Sequence, residues 1–382
     1  MSDRLLPRPV PATAPSPHPA APSGARFGNR SGTTGPGRVA GGRVAWGRVA
    51  GGLVAGGLVA WGLATPGLAQ SVPPLSLQLP LECPTAMSCE IIKYVDNDPG
   101  PGIRDYSCGR RTGGENNYAS TSFAIRNGKA MRRGVNVVAA AAGTVEKTRD
   151  GMADTGIFGT ETLEQLTKIG CGNAVVLGHP GGWRTIYCHL RQGSVKVKPG
   201  ETVKAGQTLA MVGMSGLTEL PHLYFSVRMG DTPVDPFVGA PRRDGCGLGS
   251  PPLWTPDVLS RFPYKAVLLR DGGFAAEPPD KRKAREGLYP EEALPRATGR
   301  LHFWLDFMGA DSGDSLSLRL FDPAGKELSH GRITFDKPFA QNFIVGHADP
   351  PAGGWGAGVY RGIATMTHGE QAFTLERKIT LK

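Results

Sequence analysis

The chain has 382 residues, too many for one hydrophobic core to organise and enough for two or three domains. Hydrophobic residues make up 40% and charged residues 20%, which fits a globular protein, while 55 glycines and 33 prolines argue against a largely helical one. The net charge is +10, but seven arginines from Arg4 to Arg48 against Asp3 place +6 before residue 70. The +4 left for the remainder does not describe a nucleic-acid binder and permits only mild attraction to an acidic polymer such as a cell wall.

Residues 1–37 are rich in Pro, Gly, Ser and Ala and lack apolar periodicity, so burial cannot offset the entropy of ordering them. A five-residue repeat follows, with Arg38, Arg43 and Arg48 at its first position and then Leu53, Leu58, Leu63 and Leu68. Val49 to Ala69 are 21 uncharged residues, and Gly67 and Ala69 supply the small residues of a cleavage site. The segment 1–69 therefore reads as an export signal with a long lead, as expected if the start codon is placed too far upstream. A membrane anchor of similar length is the alternative, weakened by six glycines and Pro66. No stable span is expected after cleavage, and the mature chain is expected in the periplasm or secreted.

All six cysteines follow this segment: Cys83, Cys89, Cys108, Cys171, Cys188 and Cys246. An even count in an exported chain favours disulfides over a zinc cluster, since no C-x-x-C occurs, and the short spacing favours Cys83 with Cys89. Strand-sized segments bounded by Gly or Pro follow at 136–140, 172–179, 183–190, 206–213 and 222–228, with Pro180–Gly182 as a hairpin loop and one helical patch near Thr160 to Ile169. Residues 246–295 mix Pro, Gly and charge, including a basic run from Asp280 to Glu286, and read as a solvated linker. Beyond it Leu301, Phe303, Leu305 and Phe307 alternate, as do Leu316, Leu318 and Leu320, and later Phe373 with Leu375 and Ile379 with Leu381. Period two with turns such as Asp322–Gly325 predicts a small β-sandwich over 296–382, whose histidines His302, His330, His347 and His368 lack ligand spacing and read as surface or half-buried.

The ordered set Gly134–Val145, Cys171-Gly-Asn173, Tyr187-Cys-His-Leu190, Gly200–Gln207, Gly213-Met-Ser-Gly216, Pro221-His-Leu-Tyr-Phe225 and Val234-Asp-Pro-Phe237 resembles the lysostaphin or LytM-type zinc endopeptidases, the M-23 peptidases. These cut peptide cross-links in bacterial peptidoglycan. The resemblance implies a mainly β fold: a peptidase-like domain of the barrel-sandwich hybrid type over 70–245, with the sandwich behind it. It also implies a metal site, and there the sequence departs from the family pattern. Where the family writes H-x-G-T-D-F this chain has Tyr118-Ala-Ser-Thr-Ser-Phe123, and the second histidine of H-L-H is Tyr224. The three zinc-ligand positions thus read Tyr118, Ser122 and Tyr224. A competing register places Arg132 to Asn136 under the ligand block, lacks the same histidine and aspartate, and leaves no room before the next strand.

A catalytic zinc needs strong donors and an open position for water. A phenol with a pKa near ~10 and a serine hydroxyl are poor substitutes at neutral pH, so no metal cofactor is expected. His189 and His222 correspond to the retained non-ligand pair, which in the family orients water and stabilises an oxyanion. His222 and Tyr224 share one strand face. A carboxylate from Glu115 or Asp105 joining the two histidines would be a rebuilt site, Ser215 lacks the helix that a nucleophile elbow needs, His179 reads as exposed, and Asp235 reads as a turn residue. The expected function is a catalytically inactive homologue that binds peptidoglycan or regulates a cell-wall amidase or other hydrolase. The alternatives are a zinc endopeptidase with atypical ligands and a structural envelope protein.

Overall fold

Along Asn173–His179 buried and half-buried side chains alternate, with Val175 and Leu177 fully enclosed, which is the period-two signature of a strand with one face on a core. The computed structural model describes residues 75–83, 89–241 and 244–382; the expected export segment lies outside them. The fold is mainly β. In chain order the first strands are β1 (Cys89–Lys93), β2 (Thr121–Ile125), β3 (Asn136–Val138), β4 (Gly143–Arg149), β5 (Asn173–His179), β6 (Trp183–Leu190), β7 (Thr202–Val203), β8 (Thr208–Met211), β9 (His222–Met229) and β10 (Thr232–Val234). They form a sheet in the order β1-β2-β9-β6-β5-β4-β7, with β10 on β9, and a separate β3-β8 pair. Helix α1 (Gly128–Arg133) joins β2 to β3, and α2 (Leu163–Lys168) falls inside the expected helical patch, closed by a capping box of Thr162 and Gln165.

Three disulfides brace this domain: Cys83–Cys89, as the spacing favoured, with Cys108–Cys246 and Cys171–Cys188. The stretch expected as a solvated linker is structured instead. Leu253, Trp254, Val258 and Phe262, the last two flanking or within α3 (Pro256–Arg261), pack into the first core, where Trp254 lies 5.4 Å from the Phe225 ring. Each buried side chain of this size contributes roughly 1.5–3 kcal/mol, which a linker cannot forgo once the positions exist. Strand β11 (Leu268–Ala275) then opens the second core, and the basic run forms α4 (Lys281–Glu286), capped by the Asp280 carboxylate, which accepts from Lys283 N at 2.8 Å.

The C-terminal sandwich adds β12 (Ala293–Leu294), β13 (Leu301–Ala310), β14 (Ser315–Phe321), β15 (Glu327–Thr334), β16 (Phe339–Ala348), β17 (Gly358–His368) and β18 (Gln371–Leu381). Its sheets run β11-β13-β16 and β12-β18-β17-β14-β15, and Phe303, Phe307, Leu316, Leu320 and Ala364 fill the space between them. The sandwich therefore begins at Val267 rather than at 296. His302, read as surface or half-buried, is buried on β13, with His347 across the strand pair at 5.8 Å between rings.

The described residues belong to one compact unit, and the two domains share an interface. Ile92, Ala124 and Leu220 from the first domain pack with Leu268 and Met308 from the second. Beside them Arg285 donates to Glu219 at 3.0 Å and to the Asp306 carboxylate at 2.8 Å, which Arg270 also contacts. Among the described residues no helix is long and apolar enough to cross a membrane.

Candidate functional site

Antiparallel pairing lines up one lateral row: Lys93 on β1 opposite Ser122 on β2, and Ser122 opposite Tyr224 on β9. Directly opposed residues share a sheet face, and His222, two positions before Tyr224, shares it as well. His189 reaches the same place by a different route. At the end of β6 Asn173 pairs with Leu190 and Val175 with Tyr187, so Cys188 and His189 together face the single residue Ala174. Such a bulge re-aims side chains, and His189 takes a φ of 60°, in the left-handed region that side chains seldom adopt. The His189 and His222 rings then lie 4.6 Å apart, with the Tyr224 ring 6.0 Å from His189 and edge-on to it.

The loop before β2 brings in the remaining member. Tyr118 and Ser122 share a hydrogen bond of 2.5 Å, Ser120 lies 3.2 Å from Ser122, and the Tyr118 ring meets Tyr224 edge-on at 5.8 Å. Tyr118, Ser122, Tyr224, His189 and His222 therefore converge. Arg132 and Asn136, the residues of the competing register, lie elsewhere: Arg132 donates to Glu286 O and Asn136 to the Glu82 carboxylate.

Backbone carbonyls fix the tautomers of both histidines. His189 Nδ1 lies 2.8 Å from Ser215 O, and His222 Nδ1 lies 3.0 Å from Leu220 O. A carbonyl only accepts, so each Nδ1 carries the proton and each Nε2 is an acceptor. Burial pushes the His189 pKa down to about 4, against the Ser215 carbonyl, which favours the charged form, and with the nearby Lys93 ammonium pushing further down. Burial, then repulsion from His189, holds His222 well below the ordinary histidine range. Burial likewise raises the phenols of Tyr118 and Tyr224. At neutral pH the five groups are thus uncharged, able to exchange hydrogen bonds and offering no anionic donor. With two imidazoles and no thiolate or carboxylate, the set falls short of the three such ligands that a catalytic zinc takes.

Other residues singled out by the sequence have structural work. Ser215 Oγ donates to Leu190 O and accepts from Asn173 N, which pins the turn beneath His189. Gly172, at φ 62°, lets that turn approach, because a Cβ there would collide with Ser215 O. Asp105 accepts from three backbone amides and from the Tyr264 hydroxyl, and Glu115 is paired with Lys93, so neither joins the histidines. Asp235 is the expected turn residue, accepting from Phe237 N at 2.9 Å, and it is fully buried. His179 is buried rather than exposed: its ring bridges Ala142 O at 2.7 Å and Thr185 Oγ1 at 2.8 Å, tying β5 to its neighbours. Among the described residues no group of three or more His, Cys, Asp or Glu side chains is placed to share a metal ion. Sequence reasoning missed Lys93, which lies outside every motif and joins the cluster only through the β1–β2 pairing.

Comparison with known proteins matches residues 127–236 to Peptidase family M23, a stretch that includes His189, His222 and Tyr224 and begins after Ser122. The chain is 39% identical over 77 residues to the cell division protein DipM of Caulobacter vibrioides, covering 19% of this chain and 12% of that one. It is 41% identical over 64 residues to the peptidoglycan DD-endopeptidase ShyB of Vibrio cholerae, covering 17% and 15%. The matches thus span less than a sixth of either relative's length. Among solved structures, the catalytic domain of a variant of the prophage-encoded M23 protein EnpA from Enterococcus faecalis aligns over 42% of this chain and 93% of its own, at 17% identity and a TM-score of 0.28. Residues 127–236 are thus similar to peptidase family M23, the family that the sequence motifs resemble.

Proposed function

We propose that this is an exported M23-domain protein that acts by binding, with peptidoglycan or a cell-wall hydrolase as its partner, and that its own cleft does not cleave peptides. The observation that carries the reading is the hydrogen-bonded pair of Tyr118 and Ser122 set against Tyr224, three neutral hydroxyls at the positions where the family resemblance calls for metal ligands. Without a metal ion, His189 and His222 have no metal-bound water to orient. They retain their tautomers through Ser215 O and Leu220 O and serve as hydrogen-bonding groups in a largely buried polar cluster. The relatives DipM and ShyB, named for cell division and for peptidoglycan endopeptidase activity, support the choice of partner class. Three disulfides support export to an oxidising compartment.

The test is incubation of the purified protein with isolated sacculi, followed by sedimentation and by chromatography of the soluble fraction. The reading expects co-sedimentation with the wall, or with a wall-bound hydrolase, and no release of cross-link fragments beyond the buffer control. Fragment release that a chelator abolishes would establish the zinc endopeptidase instead. If binding is confined to the sandwich, the structural envelope protein is the better description.

A further inference from the structure

The zinc expected from the family brings positive charge to this cleft, and the structure supplies a positive charge of its own. Lys93 Nζ lies over the Tyr118 ring, 4.7 Å from its centroid, and pairs with Glu115. Its strand position is opposite Ser122, which is opposite Tyr224, so the ammonium shares a row with two of the three altered positions. Only 25% of the Lys93 side chain is exposed. Gly113 passes close beside it, with a φ of 75° and a Cβ position that would lie 2.8 Å from Lys93 Nζ.

We infer that Lys93 is the resident cation of this cleft, standing in for the divalent metal, with Glu115 as its counter-ion and the Tyr118 ring face as its bed. The inference rests on the reading above, in which Tyr118, Ser122 and Tyr224 occupy the ligand positions. A ring face attracts an ammonium through its quadrupole, and neutral hydroxyls tolerate a single charge that they could not balance if it were divalent. The ligand change and the lysine are thus one exchange: anionic and imidazole donors with a metal for hydroxyls with an ammonium. Restoring the donors alone leaves a second cation in the way of the first, and two positive charges a few ångströms apart in a partly desolvated site repel strongly.

Two restored chains test this. One carries Tyr118→His, Ser122→Asp and Tyr224→His; the other carries the same changes with Lys93→Met. Zinc affinity is measured by competition with a chromophoric chelator. The expected result is that the chain without Lys93 binds zinc at least ~100-fold more tightly. Equal affinities would overturn the role of Lys93 while leaving the ligand correspondence intact. No zinc in either chain would overturn the correspondence, and this inference with it. In case the restored chains fail to fold, Lys93→Met in the natural sequence is read by the nuclear magnetic resonance shifts of the Tyr118 ring, whose face the ammonium covers. The Tyr118 ring signals are expected to move, and unchanged signals overturn the inference.

Discussion

Two polar clusters meet the chain on either side of Leu220. After it, His222 joins His189, Tyr118, Ser122 and Tyr224 in a cleft whose members are neutral. Before it, Glu219 joins Arg285, Asp306 and Arg270 at the domain interface, where the members are charged. Burial works against charge in both places. At the interface it would raise the Asp306 carboxyl, but Arg270 and Arg285 overcome it and hold that carboxyl well below the usual range. At His189 no carboxylate opposes it, and the ring gives up its proton affinity. A buried site keeps an ion only where opposite charge is built in beside it. That contrast bears directly on the metal site that the resemblance implies: the chain has anionic donors where two domains meet and none among the five groups that converge around His189.

The largest expected effect breaks the charged side of this comparison. Asp306→Asn leaves Arg270 and Arg285 facing a neutral amide in a buried place and should cost about 3–5 kcal/mol in urea unfolding. A loss under ~1 kcal/mol would mean that the interface does not depend on the pairing. The neutral side is sharpened by pH. His189 has a native pKa of about 4 against an ordinary 6.5, so between those values only the unfolded chain binds the proton. Its contribution is complete above pH 6.5 and is lost as pH falls toward 4, on the order of 3 kcal/mol in all, and His222 acts in the same direction. Urea unfolding at steps from pH 7 to 4 should show this decline, reduced in His189→Gln. An identical decline in that variant would place the protons elsewhere.

Smaller changes separate a hydroxyl network from a metal centre. Tyr118→Phe removes the bond to Ser122 and should cost about 0.5–1.5 kcal/mol by thermal unfolding, without any change in zinc content. At the bottom of the scale, Lys168→Ala removes an exposed helical pair with Glu164 and should shift stability by only about 0.3–0.5 kcal/mol, a reference for what a charge is worth in water.

Much of the cleft could be read from the sequence because strand registry carries motif spacing into space. Tyr118-Ala-Ser-Thr-Ser122 and His222-Leu-Tyr224 come together because β2 pairs with β9, and alternation puts Ser122, Tyr224 and His222 on one face. The helical patch near Thr160 to Ile169 was legible, and in the structure Thr162 and Gln165 form its cap. What escaped were features set by long-range contact. Strand β11 carries Arg270-Asp-Gly-Gly273 in its middle, which reads as a loop until Asp306, Trp304 and their neighbours on β13 cover it. His179 follows a strand and precedes glycines, so its environment depends on Ala142 and Thr185, which no local pattern indicates. Lys93 belongs to a segment outside the recognisable motifs, and its position over Tyr118 arises only once β1 adds to the sheet edge.

Whether a metal ion sits beside His189 and His222 is decided by elemental analysis. Protein purified without chelator should carry far less than one zinc per chain, with the same content in Tyr118→Phe and Tyr224→Phe. One tightly held zinc per chain in the natural sequence, lost in either variant, would contradict the account.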